Sequence, residues 1–529
     1  MVLVAMLMPL SGSAQPINAG TSTTTSATLP NLGDGTDMTP SAERRLGDRI
    51  ARELYHDPDY VDDPLLTEYV QSIWQPLLAA ARQRGDLTPE MDEAYAWEPI
   101  LARDRTVNAF ALPGAYMGLH LGLIGVVTSR DELASVLSHE LSHITQRHIA
   151  RMMARQSQQA PLMLGAMILG ILAASKSPDA ANAMIVGGQA VGVQTQLNFS
   201  RDMEREADRM GFGVSTQAGF APKGFVSMFA KLQQASRLND SGNFPYLRSH
   251  PLTTERMAEM QSRIDLPPAD VEAPPNARQN QPEYDQSMLA ARARVMANPA
   301  VDALRTWSQE AEPSVLRRTT PVQQAATLYG ATLASIKLRD HAAAQGYWQR
   351  LTDAVRADPP AARLARLLGV ELALAKDDGA RALQLLGASD AGSAPATNGR
   401  VELFFKAQAW LKRVAAAPAG SPVDAASNQA LASVTQSLQT WVADHPRDAQ
   451  AWQLLSSTYA AQGRTLSSVR AQAEISVAQL DYPAALARFK AAQDWVRKQG
   501  ASVDHYEASI VDTRTRQVEL LVREQALER

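Results

Sequence analysis

Residues 128–148 read TSRDELASVLSHELSHITQRH. Ser129, followed three residues later by Glu132, is a capping-box pair, so a helix is predicted to begin there. Leu133, Val136, Leu137, Leu141 and Ile144 recur at helical spacing and form its predicted core face. His139 and His143 lie one turn apart, about 160° around from the centre of that face at ~100° per residue. Two imidazoles so placed can close on one tetrahedral zinc ion. Glu140 between them can take a proton from a water that the ion activates. Composition alone yields an H-E-x-x-H pattern in about one chain of this length in a hundred, and the capped amphipathic helix makes coincidence rarer still. His148 falls on the Leu137/Leu141/Ile144 face, about 140° from His143, and reads as a structural core histidine. Residues 146 and 149 are Gln and Ile, so H-x-x-G-x-x-H is absent.

Zinc of the catalytic kind needs a third protein ligand and leaves a fourth position for water. The stretch FSRDMEREADRMGF (199–212) offers Glu204 and Glu206, with Ser200 placed to cap the helix. Glu204 and Asp208 are four apart and share a face. Glu204 can therefore bind metal while Asp208 orients a ligand histidine. Glu206 lies about 200° from Glu204 on the wheel and has no such companion. Taken alone, the segment also suits a charged, solvated helix face.

The chain has 529 residues, enough for two to four domains. Hydrophobic residues make up 45% and charged residues 20%, which suits a soluble globular protein. A net charge of -4 gives no basic surface for nucleic acid. Cysteine is absent, which excludes cysteine nucleophiles, Cys-ligated zinc and disulfides. The first ten residues, MVLVAMLMPL, are apolar, and Gly12-x-Ala14 follows as a small-residue pair, so 1–14 is predicted to be a signal peptide although no Lys or Arg precedes the run. Residues 15–40, with GTSTTTSATLPNLGDG, read as a disordered lead-in. Residues 41–263 form the predicted metallopeptidase domain, mainly α with a small sheet drawn from WEPILARD and VNAFALPGAYMGLHLGLI, turned at Pro113-Gly114. Within it, 160–194 carries short apolar runs broken at Lys176-Ser177-Pro178-Asp179, too short for a membrane span. They suit a lid, a patch touching membrane or unfolded substrate, or a buried hairpin. Residues 264–282 hold five prolines and read as a linker, which implies an independently folding peptidase half.

Beyond the linker, 283–529 is Ala/Leu/Gln/Arg-rich and predicted to be an α-solenoid of tetratricopeptide-like repeats. In AWQLLSSTYAAQG (451–463), Trp452-x-x-Leu455 and Tyr459-x-x-x-Gly463 have the spacing of a repeat's first helix. LDYPAALARFKAA (480–492) resembles a second helix, and 328–351 and 367–386 look like degenerate copies. Stacked repeats leave a groove for a partner segment, although an ordinary helical bundle shares this composition.

HELSH, the E-x-x-A-D of Glu204–Asp208, VNAFALPG and RSHPLTTER occur in the order seen in the peptidase family that includes HtpX and the CAAX prenyl proteases, which this chain resembles over about residues 41–262. The resemblance implies that His139, His143 and Glu204 bind one zinc ion and that Glu140 is the general base. It implies that Asn108, Ala109, Phe110 and Ala111 form an edge strand pairing with substrate backbone. It places His250 near the metal, as a ligand or an oxyanion stabiliser, with Arg256 beside it. Members with a signal-like start and C-terminal repeats imply a periplasmic setting, misassembled outer-membrane β-barrel proteins as substrates, and the β-barrel assembly machinery as partner through the repeats. From a different class, a repeat-based chaperone or adaptor with a latent or structural zinc site accounts for much of the same sequence. Glu140 discriminates, because a structural site has no need of a base.

Overall fold

In a computed structural model, residues 38–154, 201–238, 244–265, 283–387, 399–416, 424–499 and 504–527 are described. The predicted signal peptide, all but the end of the 15–40 lead-in, the 160–194 segment, Ser200 and most of the 264–282 linker lie outside them. The first helix, α1 (Pro40–Tyr55), is opened by Thr39, whose hydroxyl accepts from Ala42 N–H at 3.2 Å. Asp63 caps α2 (Pro64–Arg84) in the same way, left-handed Gly85 (φ 75°) ends it, and the short α3 (Pro89–Ala94) follows.

Four short strands follow the order β1-β2-β4-β3: β1 (Tyr60–Val61), β2 (Glu98–Ala102), β3 (Ala109–Leu112) and β4 (Tyr116–His120). β2 and β4 run parallel, while β3 returns antiparallel on β4 with Ala111 opposite Met117. The turn between them is a single 3-10 turn, Pro113–Ala115, with Gly114 and Ala115 both left-handed (φ 69° and 60°). The sequence reading continued this strand through LGLI, whereas those residues form α4 (Leu121–Val126). Among the described residues β3 is an edge of the sheet, and it lies against α5 (Arg130–Thr145). Trp74 and Leu77 of α2, Met117 and Leu119 of β4, and Leu133, Leu137 and Leu141 of α5 share one core.

The helices α6 (His148–Ala154), α7 (Arg201–Gln217), α8 (Lys223–Leu238), α9 (Tyr246–Ser249) and α10 (Thr254–Asp265) complete this half. Next comes α11 (Tyr284–Ala297), which packs on α4 and α2. Its Gln286 is fully buried, bonded to Tyr69 Oη and lying 3.4 Å from Val127 O. From Pro321 onward the helices stack in sequence order as a solenoid. The expected copies at 328–351 and 367–386 are helical hairpins, Pro321–Lys337 with His341–Val355 and Pro359–Ala375 with Gly379–Gly387. After Ala449–Ala461, however, the next helix is Thr465–Ala478, and 482–499 packs on that one. The 480–492 segment is thus one helix further along the stack than its pattern implied. Several turns share a device the sequence reading missed: a left-handed residue, then an aspartate cap. Arg339, Asp377 and Leu480 have φ 60°, 57° and 62°. Asp340, Asp378 and Asp481 then accept from Ala343, Arg381 and Ala484 N–H at 3.0, 2.8 and 3.1 Å.

Three arginines of the solenoid join it to the β1–α2 corner. Arg292 bridges Asp63 and Glu371 at 2.6 and 2.8 Å. Arg363 bridges Glu68 and Glu402 at 2.6 and 2.7 Å, and Arg400 bridges Asp62 and Asp448, both at 2.8 Å. Leu480 and Tyr482 also pack with Leu46, Ile50 and Tyr116. The described residues on either side of 264–282 therefore pack as one unit, where the linker reading implied a separable half.

Burial pushes the Asp63 carboxyl up, but Arg292 outweighs it and holds the group below the usual carboxylate range. Its stabilisation is present above the unfolded pKa and is lost as pH falls through the lower folded value. Arg292→Ala strands two buried carboxylates and is expected to cost about 3–5 kcal/mol, read as a lower urea midpoint near pH 7. A chain ended at Pro274 loses α11 and all three arginines, and is expected to unfold at lower urea than the full chain. Unshifted midpoints in both would refute the junction's importance.

Candidate metal centre

Ser129 caps α5, its hydroxyl accepting from Glu132 N–H at 3.2 Å. The Glu132 carboxylate reaches back one residue further than expected, accepting from Thr128 N–H at 2.6 Å, and also binds Lys231 Nζ at 2.6 Å. Every residue from Glu132 to Thr145 is buried. The face opposite the leucines is therefore covered too, by α7 and the turn that follows α9. Gly211 permits the close approach of α7, because a Cβ there would sit 3.0 Å from Ser138 O and His139 N.

Four side chains meet in this buried space. His139 Nε2 and His143 Nε2 are 3.0 Å apart, and His139 Nε2 is 3.4 Å from His250 Nδ1. Glu204 Oε1 lies 3.0 Å from His250 Nδ1 and 3.4 Å from His143 Nε2, while Oε2 lies 3.5 Å from His139 Nε2. One ligand atom from each of the four falls within 4.8 Å of the rest. Zinc–nitrogen and zinc–oxygen bonds of about 2.0–2.1 Å put tetrahedral ligand atoms roughly 3.3 Å apart. The observed separations bracket that value, and three imidazoles with one carboxylate suit a divalent ion of the zinc type. Glu140 completes the fit. Its Oε2 accepts from Ala111 N–H at 3.0 Å, while buried Oε1 has no hydrogen-bond partner among the described residues and lies 3.5 Å from His250 Nε2.

Around this quartet, Asp208 Oδ1 stands 3.0 Å from His139 Nδ1. Burial pushes His139 down, but its bonds to Asp208 and Glu204 outweigh burial and lift the ring to about 9. With the proton at Nδ1 held by Asp208, Nε2 is turned to the cluster. Burial takes His143 well below its ordinary value. Glu204 is held well below the carboxylate range because His250, His139 and His143 together outweigh its burial.

Residues 64–264, which contain all of these groups, match the family described as Peptidase family M48. This region is similar to the M48 peptidases. The chain is similar to the beta-barrel assembly-enhancing protease of Escherichia coli (strain K12), 34% identical over 240 residues, or 45% of this chain and 47% of that one. It is also similar to the protein of the same name from Yersinia pestis, 33% identical over 256 residues, or 47% and 51%. The mitochondrial metalloendopeptidase OMA1 of Arabidopsis thaliana is 30% identical over 164 residues, or 31% of each chain. The chain thus spans about half the length of these two bacterial relatives.

Within this region, the structure sorts the remaining sequence candidates. Arg256 does not face open space at the cluster. Its guanidinium binds Asp208 through two bonds of 2.6 and 2.8 Å, reaches Glu204 Oε2 at 2.7 Å and donates to Pro251 O at 2.8 Å. It thereby ties the turn carrying His250 to both carboxylates of α7. Asn108, Ala109, Phe110 and Ala111 sit at β3, with Asn108 O accepting from His120 N–H at 3.1 Å. Glu206 lies away from the cluster and bonds His148 at 3.1 Å and Arg151 at 2.9 Å. His148 departs from its expected place on the leucine face. The helix ends at Thr145, Arg147 turns left-handed (φ 51°), and the helical wheel no longer applies. The His148 ring instead lies with Nδ1 2.8 Å from His143 Nδ1. Burial lowers His148 to about 4, so the ring is neutral at pH 7. Sequence reasoning also missed Tyr246, whose buried ring stacks on His250 at 4.7 Å. No motif signals that contact.

Glu204→Ala is expected to lower the metal content of purified protein far more than Glu206→Ala, because only Glu204 has an oxygen among the clustered atoms. Asp208→Asn is expected to weaken metal affinity by about 10–100-fold. Equal metal content in Glu204→Ala and Glu206→Ala would remove Glu204 from the ligand set.

Proposed function

We propose that the chain is a periplasmic zinc endopeptidase that degrades misassembled outer-membrane β-barrel proteins and assists their assembly through its repeat domain. The observation that carries the catalytic part is Glu140, a buried carboxylate set against a four-ligand cluster that needs no base if it is only structural. The names of the bacterial relatives support the link to β-barrel assembly. Among the described residues no helix is long and apolar enough to cross a membrane.

His139, His143 and Glu204 hold the metal in this reading. When bound, zinc supplies Lewis-acid polarisation and makes a nucleophile of water near neutral pH. Glu140 accepts the proton of the attacking water and passes it to the amine as the C–N bond breaks. A substrate strand adding to β3 would take the Ala111 N–H into its own ladder, releasing the Glu140 oxygen that this N–H now holds. The repeats would hold partner segments for the peptidase, and 160–194 would supply any contact with membrane or unfolded chain.

His250 occupies the corner that water requires, so the resting site is latent in this proposal. Activation needs the Ser249–Pro251 turn to withdraw while Arg256 keeps its hold on Asp208. The same full set of ligands favours a second reading, an adaptor whose zinc is structural.

Glu140→Gln is expected to keep metal and lose proteolysis of casein by about 10²-fold or more. Undiminished cleavage would refute the base assignment, and intact assembly function in this variant would favour the adaptor. His250→Ala is expected to raise basal or self-cleavage by opening the coordination sphere. Lowered turnover with unchanged metal geometry would make His250 an oxyanion stabiliser instead.

A further inference from the structure

The break after α5 brings a second histidine behind the first. Arg147, in the left-handed region at φ 51°, is held by Glu43, its Nε donating at 2.8 Å, and the chain re-enters a helix at His148. The His148 side chain is wholly buried, its ring 4.9 Å from that of His143 and inclined at 73°. Nδ1 of one ring faces Nδ1 of the other at 2.8 Å. On the far side, His148 Nε2 lies 3.1 Å from Glu206 Oε2, which also accepts from Arg151 Nη1 at 2.9 Å.

This geometry has one consistent proton order once His143 serves as a ligand. Nε2 of His143 faces the cluster and must offer a lone pair, so its proton sits on Nδ1. That N–H donates to His148 Nδ1, which must then be unprotonated. The His148 proton therefore sits on Nε2 and donates to Glu206, whose charge Arg151 maintains.

We propose that His148 and Glu206 are positioning residues that fix the tautomer and ring angle of His143, as Asp208 does for His139. The arrangement is a carboxylate–imidazole–imidazole relay, one ring longer than the direct carboxylate contact on the other ligand. Its effect is to raise the donor strength of His143 Nε2 and to hold the ring in place while His250 comes and goes. It also gives Glu206 a role that the wheel reading denied it. The inference rests on the metal reading of the site.

The test is the zinc dissociation constant of the full chain, measured by competition with a chromophoric chelator, together with the melting midpoint of the metal-stripped protein. His148→Leu fills the space without an acceptor and is expected to weaken zinc binding about 10–100-fold. His148→Asn keeps an acceptor oxygen where Nδ1 stood and is expected to recover most of that loss. Glu206→Ala, on the half-exposed end of the relay, is expected to weaken binding by about tenfold. Affinities equal to wild type in Glu206→Ala and His148→Leu would overturn the relay. So would a His148→Asn variant as weak as His148→Leu, or losses confined to the metal-free melting midpoint. A wild-type chain that binds no zinc would instead overturn the metal reading and the relay with it. Should His148→Leu fail to fold, His148→Asn and Glu206→Ala still decide.

Discussion

The constraint on which the N-terminal half depends is the burial of two carboxylates, Glu204 and Asp208, one turn apart on α7 and both about 1% exposed. Burying such charges is costly unless each is paired and hydrogen-bonded. Here the pairing is shared out with little left over. Arg256 binds both, Asp208 takes His139, and Glu204 faces all three imidazoles of the cluster. That single requirement explains the closeness of α7 to α5 at Gly211 and the path of the chain through Pro251. Arginine suits the position because its planar fork can serve two carboxylates at once, which a lysine point charge cannot.

The same device recurs at the junction of the two halves. Asp62, Asp63 and Glu68 each meet an arginine that is already claimed by a carboxylate of the solenoid. Each arginine thus bridges rather than pairs, so separating the halves leaves Asp62, Asp63 and Glu68 without their partners. An apolar contact through Leu480 and Tyr482 adds a second anchor far along the sequence. The C-terminal helices are consequently held against the N-terminal half at more than one point along the chain.

Stiffness and motion are divided unequally around the cluster. His139 and His143 are fixed from behind, by Asp208 and by His148, and both sit on a helix buried on all sides. His250 sits on the short turn between α9 and α10, stacked on Tyr246. A side chain on a turn can withdraw at the expense of one stacking contact and a few hydrogen bonds, whereas one on α5 cannot move without opening the core.

What the sequence determined by itself was whatever is local. Ser129 and Glu132 announce the start of α5, the leucine spacing gives its core face, and the intervals 139–143 and 204–208 place paired groups on one side of a helix. The mainly helical chain, its small sheet and its stacked C-terminal helices were legible for the same reason, since period and capping depend on near neighbours. The tertiary structure alone decided whatever depends on a bend or on residues distant in sequence. His148 was misread because a helical wheel assumes an unbroken helix, and Arg147 breaks it. Arg256 and Glu206 acquired their places from contacts with residues 48 and 58 positions away, which no periodicity encodes. The packing between the residues on either side of 264–282 was not legible, because arginine bridges are written in pairs of residues hundreds of positions apart.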